Sequence, residues 1–172
     1  FSKYEKKYNL HKLEYYFKRI DTFSRFDSKN IVFIKRLLQK ELKKEVRAQI
    51  LNDLFNYKIL LPEKEFSKKI YINSAQIKEM VKEGMSFGIH GYDHLWWNTI
   101  SEKEILNEIN CSKNFVINHG MNEEYISAAY PYGAYNQKCK ELLKKENIKI
   151  AFTTKVNTYE VNKNTAFEIP RL

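Results

Sequence analysis

From Tyr71 onward the sequence alternates helix-start signals with short apolar runs, and this alternation is what most limits the fold. Asn73 or Ser74 can cap a helix that runs through Ile77, Met80 and Val81 and ends at Gly84, where glycine accepts the left-handed conformation that stops helices. Met85 to Ile89 then reads as a short strand. Ser101 with Glu104 three positions later fits a capping box, opening a helix through Ile105, Ile109 and Val116 to a second terminating glycine, Gly120. Tyr125 to Tyr130 reads as the next strand and Asn136 to Glu146 as the next helix; Ile148 to Thr153 and Ala166 to Ile169 supply two more strand candidates. Strands separated by helices cannot be hairpins. They need parallel crossovers, and these predict an α/β sheet or barrel.

The first 70 residues have a different texture. Leu10, Leu13, Phe17 and Ile20, then Ile31, Ile34, Leu37, Leu38 and Leu42, then Val46, Ile50, Leu54 and Phe55 recur at helical spacing, which predicts two or three amphipathic helices. Ser28 is placed to cap the second, and Pro62 is expected to close the region after Leu60 and Leu61. The chain's net charge of +9 resides here: residues 1–70 hold 18 Lys plus Arg against 9 Asp plus Glu, whereas residues 71–172 hold 12 against 12. The simplest reading of the lysines is a set of solvated helix faces. A basic surface for an anionic or phosphate-bearing partner is the sharper one. The expected organisation is thus a basic helical insertion or subdomain over 1–70 and an α/β part over 71–172.

Composition closes off several classes. An aromatic content of 15%, five Gly and three Pro are the reverse of a disordered composition. No apolar run approaches the roughly 18 residues of a spanning helix. Cys111 and Cys139 form no dense or CxxC pattern, which excludes a disulfide framework and leaves both as ordinary thiols.

In parallel α/β folds, reactive groups collect where strands end. The loop after Met85 to Ile89 reads His90-Gly91-Tyr92-Asp93-His94-Leu95-Trp96-Trp97. Two of the chain's four histidines stand four apart in it, close enough to share a face and meet one metal ion. The bland alternative is a hydrogen-bonding pair. Trp96 and Trp97 suit the apolar face of a sugar ring, with core packing of at least one of them as the competing reading. The loop after Tyr125 to Tyr130 reads Ala129-Tyr130-Pro131-Tyr132-Gly133-Ala134-Tyr135-Asn136. Pro131 fixes one backbone angle and Gly133 permits an unusual one, so this turn can aim an N–H group, as an oxyanion site requires. A tight turn rich in tyrosine is the plainer account.

Taken together, Gly88-Ile89-His90-Gly91-Tyr92-Asp93-His94 and, about forty residues later, Ala129-Tyr130-Pro131-Tyr132-Gly133 resemble the polysaccharide deacetylases with a NodB homology domain, a carbohydrate esterase family. The preceding Gln76 to Met80 and Gly84 to Phe87 are similar to the helix and strand that lead into that family's histidine motif, and Leu10 to Leu13 resembles a helical insertion of some members. The resemblance implies an incomplete, distorted (β/α) barrel of parallel strands with an N-terminal helical insertion. It implies a metal-dependent hydrolase that removes N-acetyl or O-acetyl groups from a sugar in bacterial surface-glycan or polysaccharide metabolism. His90 and His94 then fall on the two histidine ligands of a divalent ion, most often Zn2+. The backbone N–H of Tyr132 falls on the oxyanion donor, and Tyr130, Pro131, Gly133, Trp96, Trp97 and Arg171 on the substrate side.

The sequence also departs from that pattern. Ala129 stands where the family often has an arginine that orients the catalytic base. No Asp-Asp pair occurs anywhere, although the family's Thr-Phe-Asp-Asp-Gly motif supplies the general base and a third metal ligand. The strand bearing it is expected upstream of Phe1, and the late Leu-x-His motif of the general acid has no match after His119. As given, the chain is expected to be catalytically incompetent, with Asp93 a weak substitute ligand because neighbouring side chains diverge. Two other classes stay open. One is a catalytically silent glycan-binding domain of the same fold; the other, less favoured, is a basic nucleic-acid binder, whose usual stacking motifs and zinc-finger spacings are missing here. The expected partner is an acetylated carbohydrate, with no nucleic acid and no transmembrane segment, in the bacterial cytoplasm or at the inner-membrane face rather than outside the cell.

Overall fold

The computed structural model describes residues 1–24, 27–158 and 165–171, and the chain divides into two compact units, Phe1–Lys69 and Ile70–Leu172. The first unit is helical: α1 (Ser2–Tyr8), α2 (Leu13–Arg19), α3 (Lys29–Arg36) running into a π-helical turn at Leu37–Glu41, α4 (Lys44–Lys58) and α5 (Glu63–Ile70). Its core is Tyr16, Ile20, Phe33, Leu37, Leu42, Val46 and Ile50. Four expected core positions point outward instead, with Phe17, Ile31, Ile34 and Leu54 about half exposed. In α3 it is Val32 and Phe33 that face inward, while Leu37 and Leu42 beyond it keep their expected places in the core.

Pro62 does not close this region. It precedes α5, and its carbonyl accepts from the N–H groups of Glu65 and Phe66, a place where proline's missing N–H costs nothing. Ser28 does flank α3, although its side chain makes no capping bond. The unit also holds a polar hub. Asp53 accepts from Lys3 Nζ at 2.7 Å, Tyr4 OH at 2.8 Å and Gln49 Nε2 at 2.8 Å, and these bonds, the lysine's first, pull its carboxyl down to about 2.

The second unit begins with α6 (Ser74–Lys82), fixed by a reciprocal capping box between Asn73 and Gln76. Met85–Ile89 forms no named strand; among the described residues it pairs through Ile89, which bridges Ala128 in parallel. α7 (Glu102–Asn118) starts at the Ser101–Glu104 capping box. A 3-10 turn at Glu123–Tyr125 occupies the start of the expected strand, leaving β1 as Ala128–Ala129. α8 (Gln137–Lys145), capped by Asn136, leads to β2 (Ala151–Val156) and then β3 (Ile169–Arg171).

The sheet is parallel and ordered β1-β2-β3, with Ala128 opposite Ala151, Phe152 opposite Ile169 and the Ile89 bridge flanking β1. α7 thus connects the Ile89 segment to β1 and α8 connects β1 to β2, both parallel neighbours, as the alternation predicted. Three strands do not close, and the barrel expected from the resemblance is not seen among the described residues. Ile89, Trp97, Ile105, Ile109, Leu143 and Ile148 form the centre of the core between sheet and helices.

Candidate active site

Because the Ile89 segment and β1 run parallel, the loops that follow them leave from the same edge of the sheet. Ile89 donates to the Ser127 carbonyl at 2.7 Å and accepts from the Ala129 N–H at 2.8 Å, which places His90 beside the end of β1. The His90 ring then pairs its Nδ1 with the Ala129 carbonyl at 2.8 Å. A carbonyl can only accept, so Nδ1 carries a proton, and in the neutral ring it is Nε2 that bears the lone pair.

His94 brings its own Nε2 to 3.0 Å from that of His90. It does so from a left-handed backbone, φ 55°, that a side-chain-bearing residue adopts at a cost. Its ring is half-buried, and burial, then the neighbouring His90, lower its pKa, with nearby Glu108 opposing. A neutral imidazole is the form that ligates a metal. Two nitrogens bound to one tetrahedral zinc at about 2.0–2.1 Å would stand about 3.3 Å apart, close to the observed separation. The pair therefore fits a divalent transition ion as two of its ligands. It does not complete a site: among the described residues no group of three or more His, Cys, Asp or Glu could hold an ion, and Asp93 does not serve as a third ligand.

The second loop is a 3-10 turn, Pro131–Gly133, in which Tyr132 also has left-handed angles, φ 58° and ψ 8°. Gly133 at φ 68° follows, and any Cβ there would overlap Thr154. The turn is thus closely packed against Thr154 at Gly133. The Tyr132 ring lies edge-on to His94, with centroids 4.4 Å apart, and stacks on Trp96 at 4.7 Å and 12°. Trp96, half-buried, reaches the site through that stack.

The other expected substrate contacts fare differently. Trp97 is fully buried and packs edge-on against Tyr130, so it offers no face to a sugar. Tyr130 is itself buried at 1% exposure and donates its hydroxyl to the Phe167 carbonyl, with burial raising its pKa far above the usual phenol range. Pro131 is buried as well. These three shape the turn from beneath. Arg171, on β3, donates from Nε to the Thr153 carbonyl at 2.8 Å, and its exposed guanidinium is tied to the sheet. Beside His90 a cavity of about 400 Å³ is walled mostly by apolar side chains, among them Tyr71, Ile72, Phe87, Tyr92 and Phe115.

The sequence reading passed over one residue. Glu108, on α7, is 2% exposed, and its carboxylate accepts from the N–H of Asp93 at 2.9 Å, of Tyr92 at 3.1 Å and, more weakly, of Leu95 at 3.5 Å. The signal was available. Glu108 lies on the apolar stripe formed by Ile105, Ile109, Ser112 and Val116, where a charged residue is out of place unless something buried requires it.

Comparison with known proteins gives concordant results. The profile of the family described as polysaccharide deacetylase matches residues 20–151, which includes most of the helical unit. YxkH of Bacillus subtilis (strain 168), named as a polysaccharide deacetylase, is 28% identical over 91 residues, 53% of this chain and 32% of its own length. Among solved structures, the Streptococcus pyogenes deacetylase PplD in complex with acetate is similar with a TM-score of 0.55 and 26% identity, covering 63% of this chain and 47% of that one. The chain thus spans about a third of the length of the first relative and about half of the second.

Proposed function

Because the chain belongs to the polysaccharide deacetylase family, we propose that it contributes to a metal-dependent hydrolase that removes acetyl groups from an N-acetylated or O-acetylated sugar in bacterial glycan metabolism. The observation that carries this reading is the meeting of His90 Nε2 and His94 Nε2 at 3.0 Å beside the Pro131–Gly133 turn. His90 and His94 would hold the ion, most suitably Zn2+, which supplies Lewis-acid activation of water and of the acetyl carbonyl when bound.

The protein's own groups supply the rest. His90 is oriented by the Ala129 carbonyl, which keeps Nε2 directed at His94. The backbone N–H of Tyr132, held by a turn that Pro131 and Gly133 stiffen, would donate to the oxygen on which charge develops. The stacked Trp96 and Tyr132 rings give the rim an aromatic surface for a pyranose face. PplD was solved with acetate, the small product that such a reaction releases. A third ligand is not found among the described residues, and the chain spans less than half the length of the relatives it matches. The basic helical unit would favour a substrate carrying an anionic or phosphate group.

One observation favours a second reading. No complete ligand group exists among the described residues, as expected of a catalytically silent glycan-binding domain of the same fold. Acetate release from an N-acetylated oligosaccharide by the full-length protein, with zinc saturating, decides between them. Release that is lost in His90→Ala and His94→Ala supports the hydrolase. Binding of the oligosaccharide with no acetate released supports the silent domain.

A further inference from the structure

We propose that Glu108 is the positioning residue that keeps His90 and His94 in register for one ion, by binding the backbone of the loop between them; this rests on the metal reading above. The three N–H groups it accepts belong to Tyr92 and Asp93, between the histidines, and to Leu95, just after them. The loop winds around this carboxylate. Gly91 makes that possible: at φ 76°, any Cβ there would stand 2.7 Å from Glu108 Oε2.

Two features argue for more than ordinary packing. The first is the charge itself. A buried carboxylate is costly unless satisfied, and a glutamine of the same volume would fill this space. Among the described residues no cation pairs with Glu108; the nearby buried Lys113 pairs with Glu123 and donates to the Glu146 carbonyl. Among the described residues, the hydrogen bonds to the Glu108 carboxylate come from backbone amides. Two carboxylate oxygens accept from three donors, whereas an amide offers one acceptor oxygen and turns an NH2 toward the remaining N–H.

The second feature is the backbone of His94. Its φ of 55° is disfavoured for a residue with a side chain, so something must hold it there. The Asp93 and Leu95 N–H groups on either side of His94 are both bound by Glu108. Releasing them frees His94 to return to negative φ, and that rotation carries its ring away from His90. α7 provides the fixed support, since its capping box anchors the helix one turn before Glu108.

The test compares the 172-residue chain with Glu108→Gln by zinc titration against a competing chelator, NMR of the histidine rings and amides, and thermal unfolding. The expected result is at least a 10-fold loss of zinc affinity, the usual effect of removing a residue that orients ligands. Upfield shifts of the Tyr92 and Asp93 amide protons and displaced His94 ring resonances should accompany it, with unfolding still cooperative. Unchanged zinc affinity together with unchanged ring resonances would overturn the proposal. If the parent chain bound no zinc, the metal reading would fail, while the ring and amide resonances would still decide whether Glu108 holds the loop. Should Glu108→Gln not fold, hydrogen exchange in the parent decides: slow exchange at Tyr92 and Asp93 supports the carboxylate clamp, and exchange at the rate of an open loop overturns it.

Discussion

The Tyr132 ring lies flat against Trp96, 4.7 Å between centroids and 12° from parallel, so the two loops that end neighbouring strands are joined by one aromatic stack. The same Tyr132 ring, carried on a left-handed backbone, meets the His94 ring edge-on at 4.4 Å. Aromatic pairs of this kind contribute about 0.5–1.5 kcal/mol beyond their buried area. A double-mutant cycle with Trp96→Ala and Tyr132→Ala, read by urea unfolding, should return a coupling in that range. Strict additivity of the two substitutions would show that the rings do not support each other.

The turn itself can be tested apart from its side chains. Gly133→Ala forces a Cβ to within 2.9 Å of Thr154 Cγ2 at a φ of 68°, and should destabilise the second unit by about 2 kcal/mol or more. Thermal and urea unfolding would register this. A neutral substitution would mean that the turn has room the structure does not show.

Backbone and ring of Tyr132 make separate predictions for the full-length protein. Tyr132→Phe retains the N–H and the stack, and should turn over almost normally. Tyr132→Gly retains the N–H and relaxes the φ of 58°, and should lose only what the ring contributes. Tyr132→Pro deletes the donor and cannot reach that φ, and should cost at least about 10²–10³ in acetate release. Equal losses in the glycine and proline variants would remove the N–H from the mechanism.

The two thiols should differ sharply. Cys139 is buried and burial raises its pKa, whereas Cys111 is partly accessible on α7. Under native conditions a thiol-specific reagent should label Cys111 first and Cys139 only on unfolding. Equal rates at neutral pH would contradict the packing around α8.

Asp53 gives a pH signature to the helical unit. Its folded pKa of about 2 lies below the unfolded value of about 3.9, so its contribution is fully present above the unfolded value and disappears as pH falls through the folded one. The melting temperature of the chain should therefore drop between about pH 4 and pH 2, with a shallower slope in Asp53→Asn. An identical slope in the variant would assign the acid sensitivity to other groups.

Capping chemistry made α6 and α7 legible in the sequence, since Asn73 and Ser101 each announce a helix start through a bond to a residue three positions on, and Asn136 does the same for α8 in the structure. The parallel alternation was legible for the same reason. Strand limits were not: β1 shrank to Ala128–Ala129 and the Met85–Ile89 segment to one bridge, because pairing depends on partners that local apolarity does not reveal. α1 and α5 are not marked in the sequence because each is short, seven and eight residues, and neither buries a residue fully. In the site, the spacing of His90 and His94 pointed to a shared face. The burial of Trp97 and Tyr130 could not be separated from exposure by residue type, since both kinds of aromatic serve cores and sugar sites alike. Glu108 was hidden because its partners are backbone amides, which every residue possesses.

Zinc titration of the 172-residue chain, the parent against His90→Ala and His94→Ala, tests the central claim most directly. The account predicts one weak site in the parent, since two imidazoles are fewer than the three protein ligands usual for catalytic zinc, and loss of that site in either variant with the thermal transition preserved. Binding of the same strength in the parent and both variants, or none in any of them, would contradict it.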